Sequence, residues 1–285
     1  MPFLGSLKLK LSQMGLGSLL TVLGIVALVS FLVFYPLSIP RGPSESEAGV
    51  SCGYVKQVLA SYGDGPHDYS YGVCGYSVDS RPIYYYRIGE GRETILILGG
   101  LHGNEPKGTY ACLELLANLT ESEVLLRNYC FVVIPLCNPD GAAEFRRFNS
   151  RNVDLNRDFY DFSQPETQAI REVFVKSSPV LLIDVHESLG SEPIIIYANN
   201  TKSMLLARFF SLETGIPGFL AADVGQSANF AEKSGIYGVI VELPIFSSKY
   251  GNGTIIVWRL IESWVHFERS GMYMRRPVNI GLMQV

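Results

Sequence analysis

Three observations predict a single α/β domain on a mixed, largely parallel sheet, preceded by one transmembrane helix. From residue 51 onward, short apolar runs alternate with amphipathic segments of helical length. Runs such as "TILILGG" (94–100) and "VLLIDVHES" (180–188) are apolar at consecutive positions, as strands buried on both faces are. Ahead of them, Leu11–Pro40 holds no charged residue, and 15–37 is long enough to cross a bilayer as a helix.

Taken in order, residues 1–14 form a short N-terminus carrying Lys8 and Lys10, which predict that this end stays in the cytoplasm. Residues 15–37 are the signal-anchor span. The run is longer than the apolar region of a cleaved signal peptide, and no Ala-x-Ala-like site follows it. "PRGPSESEAG" lies in the linker, 38–50, and 51–285 is the folded domain. The expected location is therefore the cell membrane, single-pass, with the domain outside and the lipid bilayer as a partner through 15–37.

Within the domain, "RPIYYYRIG" (81–89) and 94–100 read as strands, and Pro106 to Asn118 as a helix. "YCFVVIPLCNPDG" (129–141) reads as a buried strand stopped by turn residues. Ser163, Pro165 and Glu166 stand in helix-starting positions for 163–177. Strands follow at 180–188 and 192–198, a helix at 201–215, a strand at 237–244 and a closing helix at 254–268.

Composition narrows the function classes. The 285 residues are 47% hydrophobic, enough for a sizeable core, and the formal net charge of −4 gives no reason to expect nucleic acid as a partner. The five cysteines leave two readings open: Cys52 paired with Cys74 in an oxidising compartment, or five reduced thiols. Asn118, Asn199 and Asn252 fit the glycosylation pattern, which chance also produces. Nothing in the sequence fixes the oligomeric state.

Polar residues sit where buried strands end. The first strand end delivers His102 and Glu105 around Gly99 and Gly100, with Asn104 as a turn residue, and the second delivers His186 and Glu187. In the third, Glu242 interrupts the apolar "VIVELP". The chain has four histidines, at 67, 102, 186 and 266, and two of them occupy such ends. If those ends converge, His102, Glu105 and His186 make a two-histidine, one-carboxylate set, the ligand composition of a catalytic zinc site with an open position. Glu242 then remains for base chemistry. The competing reading is a turn with solvated side chains and a buried ion pair at Glu242.

"CNPDGAAEFRRFNSRNVDLNRDF" (137–159) resembles the zinc carboxypeptidase family of the carboxypeptidase A type. That family shows Asn-Pro-Asp-Gly, then Arg-x-Asn, then Gly-Val-Asp-Leu-Asn-Arg-Asn-Phe. Its Gly-x-His-Gly-x-Glu is answered by Gly100 to Glu105, its strand-end histidine by His186 and its late glutamate by Glu242. The resemblance covers roughly residues 75–245 in the same order.

It implies a three-layer domain holding one Zn2+ per chain on His102, Glu105 and His186. It implies that Asp154 orients the first histidine, and that Glu242 deprotonates the zinc-bound water and passes the proton to the leaving amine. Arg147 aligns with the arginine that polarises the scissile carbonyl, a contribution of about 3–4 kcal/mol by analogy with oxyanion-hole donors. Asn156 and Arg157 match the pair that binds the substrate's terminal carboxylate, for which a planar guanidinium is suited. Without the resemblance, Arg147 and Arg157 would read as solvated loop charges.

Two departures stand out. Asn152 replaces the glycine before Val-Asp-Leu-Asn-Arg and must tolerate a left-handed backbone. Asp158 replaces an asparagine and is expected to set a negative charge beside Arg157. The family's mobile tyrosine has no assignable counterpart. "GGLHGNEP" and "GQSANFAEKSGIYGVIVELP" look like murein peptide amidases, which trim cell-envelope peptides. The expected function is a membrane-anchored metallocarboxypeptidase acting on peptides with a free C-terminal carboxylate. The alternatives are a zinc-dependent N-acyl amino acid deacylase resembling succinylglutamate desuccinylase and aspartoacylase, and a non-catalytic binding module.

Overall fold

The computed structural model describes residues 50–62, 69–220, 225–246 and 251–273. The expected anchor, 15–37, and nearly all of the linker lie outside the described residues. Among the described residues no helix is long and apolar enough to cross a membrane.

The strands are β1 (Tyr69–Tyr76), β2 (Pro82–Ile88), β3 (Glu93–Gly99), β4 (Tyr129–Ile134), β5 (Leu181–Ser188), β6 (Ile194–Tyr197), β7 (Gly218–Leu220) and β8 (Tyr237–Pro244). The helices are α1 (Cys52–Ser61), α2 (Pro106–Thr120), α3 (Glu123–Asn128), α4 (Pro139–Ala143), α5 (Pro165–Ser177), α6 (Thr201–Thr214), α7 (Ser227–Lys233) and α8 (Gly253–Arg269). The strands form one sheet in the order β1-β2-β4-β3-β5-β8-β6-β7. Its centre is parallel, with β3 between β4 and β5, and β8 beside β5. The hairpin of β1 and β2 joins β4 antiparallel, and β6 joins β8 antiparallel. The mixed, largely parallel α/β sheet expected from the sequence is the one observed.

Consecutive apolar residues feed both faces. Ile95 and Ile97 of β3 pack into a core shared with α1, α2, α6 and α8, whereas Leu96 and Leu98 pack into a second core with α5 and α7. That alternation makes three layers out of one hydrophobic strand. All four side chains are fully buried, each contributing about 1.5–3 kcal/mol.

Topology places the polar strand ends together. The carboxyl ends of β4, β3, β5 and β8 lie along one edge, and the chain leaves β3 for β4 on one side before returning as β5 on the other. A crevice opens at such a reversal, between the ends that carry His102 and His186.

Some details differ from expectation. The strand expected over 129–141 ends at Ile134, because Asn138 caps a short helix: its Oδ1 accepts from Gly141 N at 2.9 Å. The helices α1, α3, α4 and α7 and the edge strands β1 and β7 were not foreseen; most of them are short. All five cysteines are free, so Cys52 and Cys74 are not paired. Asn152 does adopt the left-handed backbone, with φ +60°.

Asp158 is the clearest correction. Its buried carboxylate accepts hydrogen bonds from Ser163 N (3.0 Å), Ser163 Oγ (2.6 Å), Gln164 N (2.9 Å) and the Thr167 hydroxyl. The charge is turned onto the start of α5, whose free amide groups attract it, and does not face the Arg157 guanidinium. Asp158→Ala leaves those buried donors without a partner. The expected cost is about 2–4 kcal/mol, or roughly 5–12 °C in Tm for a domain of this size, read by thermal unfolding.

Candidate metal centre

The corner after β3 is built by glycine and proline. Gly100 has φ +59°, and a Cβ there would lie 2.5 Å from Thr109 Oγ1, so only glycine fits. Pro106 opens α2, and Glu105 occupies the N-cap position without making a side-chain cap. Its carboxylate is engaged elsewhere: Oε1 lies 2.8 Å from His102 Nδ1, and Oε2 lies 2.9 Å from His186 Nδ1. The corner is tied to the loop after β4 through Asn138 N to Gly100 O (2.9 Å), while Asn138 Nδ2 reaches Leu101 O and Arg147 O at 3.3 Å each.

His102, Glu105 and His186 therefore converge, with donor atoms all within 4.8 Å of one another. The two Nδ1 atoms are 3.0 Å apart. Each ring has its other nitrogen against a carboxylate: His102 Nε2 lies 3.0 Å from Asp154 Oδ1, and His186 Nε2 lies 3.0 Å from Asp184 Oδ2. Those partners place a proton on each Nε2, which leaves two Nδ1 lone pairs and a carboxylate oxygen facing one point. A single proton relieves one such pair only. A divalent cation accepts from all three, and imidazole nitrogen backed by a carboxylate is the arrangement zinc favours. The residues thus fit a zinc ion with an open coordination position.

The charges around this point agree with that fit. Burial opposes ionisation of Glu105, but its contacts to His102 and His186 outweigh burial and hold it well below the usual carboxylate range. Asp154 behaves likewise: burial is overcome by His102 and Arg147. Burial also opposes a charge on His186, yet Asp184 and Glu105 push its pKa well up. Asp184 is fully buried, and among the described residues its Oδ1 has no hydrogen-bond partner. An anion in such a place calls for positive charge nearby.

Of the remaining expected residues, Arg147 and Asn156 contact the ligand set and Glu242 is paired beside it. Glu242 is paired in register with His186 on the neighbouring strand. Burial raises its pKa, against the attraction of His186, and among the described residues its carboxylate has no hydrogen-bond donor. Lys107 ties β8 to the start of α2, its Nζ donating to Pro244 O at 3.1 Å and also to Ile245 O. Arg147 donates through Nε to Asp154 Oδ2 (3.0 Å) and through Nη1 to Glu105 Oε1 (3.2 Å). Arg157 is exposed, with Nη1 on Asn156 O at 2.8 Å.

Asn156 lies beside His186, its Nδ2 3.4 Å from His186 Nε2. It is 3% exposed, and its Oδ1 accepts from Ser227 N at 3.1 Å. Two residues of the centre were missed in the sequence, Asp184 and Ser227. Asp184 carries a readable signal: a lone carboxylate in an apolar strand, two positions before His186 and hence on the same face. Ser227 carries none.

The family model described as zinc carboxypeptidase matches residues 56–205. "Probable carboxypeptidase 2" of Arthroderma benhamiae is 36% identical over 113 residues, covering 36% of this chain and 22% of its own. "Carboxypeptidase D" of Mus musculus is 33% identical over 138 residues, or 38% of this chain and 10% of its own. The chain thus spans less than a quarter of the length of these relatives. Among solved structures, a metallo-carboxypeptidase from Burkholderia cenocepacia superposes with TM-score 0.68 at 14% identity, covering 78% of this chain and 70% of that one. The carboxypeptidase A from Helicoverpa armigera gives 0.63 at 18% identity, covering 86% and 80%.

His186→Ala removes one donor of the set. Elemental analysis of the purified chain is expected to find one zinc per wild-type molecule and well under one for the variant after dialysis.

Proposed function

The chain belongs to the zinc carboxypeptidase family, and on that premise we propose that it is a zinc-dependent hydrolase that removes the C-terminal residue of peptides. One observation carries this reading: two histidine nitrogens and a carboxylate converge beside Glu242, a carboxylate that no donor among the described residues engages.

His102 Nδ1, Glu105 and His186 Nδ1 would hold the zinc. When bound, the ion supplies Lewis acidity to the scissile carbonyl and to water. Glu242 accepts the proton of the attacking water and returns it to the departing amine. Among the described residues no donor holds its carboxylate, which leaves it free to face the water. Arg147 stands beside the zinc ligands, held by Glu105 and Asp154, and puts a fixed positive charge where the carbonyl oxygen gains negative charge. Recognition of the substrate carboxylate falls to Arg157, whose guanidinium is exposed, with Asn156 fixing the backbone under it.

The apolar, uncharged stretch 15–37, with Lys8 and Lys10 before it, supports a single-pass anchor with the domain outside the cell. Peptides of the cell envelope would then be within reach of the site. Protease added to intact cells is expected to digest the domain; a domain shielded until the membrane is opened would overturn this placement.

The chemistry is tested by mass spectrometry of products from a panel of peptides, wall-type γ-glutamyl peptides and N-acyl amino acids. Loss of one C-terminal residue is expected, abolished in Glu242→Gln with zinc still bound. Peptides whose terminal carboxylate is amidated should be poor substrates. Release of an acyl group with peptides left intact would move the chain to the deacylase branch.

A further inference from the structure

Behind His186 lies a buried group of side chains that the hydrolytic chemistry does not use. Asp184 and His186 point to the same side of β5. Asp184 Oδ2 lies 3.0 Å from His186 Nε2 and accepts from Ser227 Oγ at 2.5 Å. Ser227, the first residue of α7, donates its backbone N–H to Asn156 Oδ1 at 3.1 Å. Asn156 Nδ2 in turn lies 3.4 Å from His186 Nε2. Since that nitrogen donates to Asp184, the last contact is packing, not a second hydrogen bond. Asp184 and Ser227 are fully buried, and His186 and Asn156 are 2% and 3% exposed.

The same segment is bolted to the loop that carries Arg157. Gly225 has φ +88°, and a Cβ on it would lie 2.3 Å from Arg157 O; Phe159 N donates to Gly225 O at 3.0 Å. A single hydrogen-bonded path therefore runs from the histidine ring through Asp184 and Ser227 to Asn156, beside the exposed Arg157.

We propose that Asp184 and Ser227 are positioning residues that couple metal binding at His186 to the ordering of the 225–233 segment and the Arg157 loop. The inference rests on zinc being held by His102, Glu105 and His186. A cation on Nδ1 polarises the ring and strengthens the Nε2–H bond to Asp184. Asp184 is thereby fixed as the acceptor for Ser227, and α7 is anchored. The coupling is reciprocal: an anchored α7 aims Asp184, which holds the ring in the orientation that presents Nδ1. Among the described residues Oδ1 of Asp184 has no hydrogen-bond partner, whereas a purely structural acceptor at a fully buried site would have both oxygens engaged.

Full-length wild type and Asp184→Asn, purified in mild detergent and stripped of metal, are titrated with zinc against a chromophoric chelator. Both are also melted without metal. The variant is expected to bind zinc about 10–100-fold more weakly while its metal-free Tm does not fall below the wild-type value. In hydrogen exchange, zinc should slow the amides of Ser227 and the rest of α7 in wild type, and much less in Ser227→Ala. Equal zinc affinity overturns the proposal, as does a loss of affinity matched by a fall in metal-free Tm, or zinc-independent exchange across 225–233. Wild type that takes up no zinc overturns the metal reading itself, and this inference with it.

Discussion

Two imidazole nitrogens 3.0 Å apart, each with a carboxylate behind its ring and one carboxylate between them, set the terms for the rest of the molecule. With a proton on each Nε2, two lone pairs and a carboxylate face one point, and one cation there relieves all three. Burying Glu105, Asp154, Asp184 and Glu242 around them opposes folding by several kcal/mol per ion unless positive charge is supplied. Arg147 supplies one such charge and the metal the rest. The scaffold must hold mutually repelling groups in place through bonds that do not themselves depend on the ion.

The parallel centre of the sheet does this. His186 and Glu242 sit in register within hydrogen-bonded strands, not on free loops, so their backbones cannot separate without breaking the ladder. His102 and Glu105 lie on a turn, and the turn is held from below by Asn138, which reaches Leu101 and Arg147 together. Asp140 of the same Asn-Pro-Asp-Gly run accepts from Ser77 Oγ, Asp79 N and Arg81 Nη1, fastening the β1–β2 hairpin to it. That run is a clamp joining three segments. Its buried polar side chains are fully committed, which is what lets a loop act as rigidly as a strand.

Much of this was legible in the sequence because strong local signals carried it. Consecutive apolar residues in 95–98 and 180–183 announced strands covered on both faces, and the histidines beyond them announced the crevice. Asn152 gave away its left-handed backbone by standing where glycine is usual. The sequence could not show partners fixed only by tertiary approach. Ser227 reaches Asp184 across 43 positions, and no periodicity relates them. Asp158 misled for the same reason: beside Arg157 in the chain, it turns its carboxylate to donors five to nine residues on. A carboxylate near exposed arginine gains little, about 0–1 kcal/mol, whereas one that satisfies several buried donors at a helix start gains more.

That outcome bears on how the terminal carboxylate of a substrate would be read. With Asp158 withdrawn into α5, the Arg157 guanidinium is not neutralised by its neighbour and stays exposed on a backbone held by Asn156 and Gly225. Asn156 is buried, and its Oδ1 is committed to Ser227 N. Under the proposed function, a free substrate carboxylate would meet that one planar cation. The path through Asn156, Ser227 and Asp184 joins the Arg157 backbone to His186. On that reading, recognition of the substrate's end and orientation of a metal ligand would draw on one buried set of hydrogen bonds.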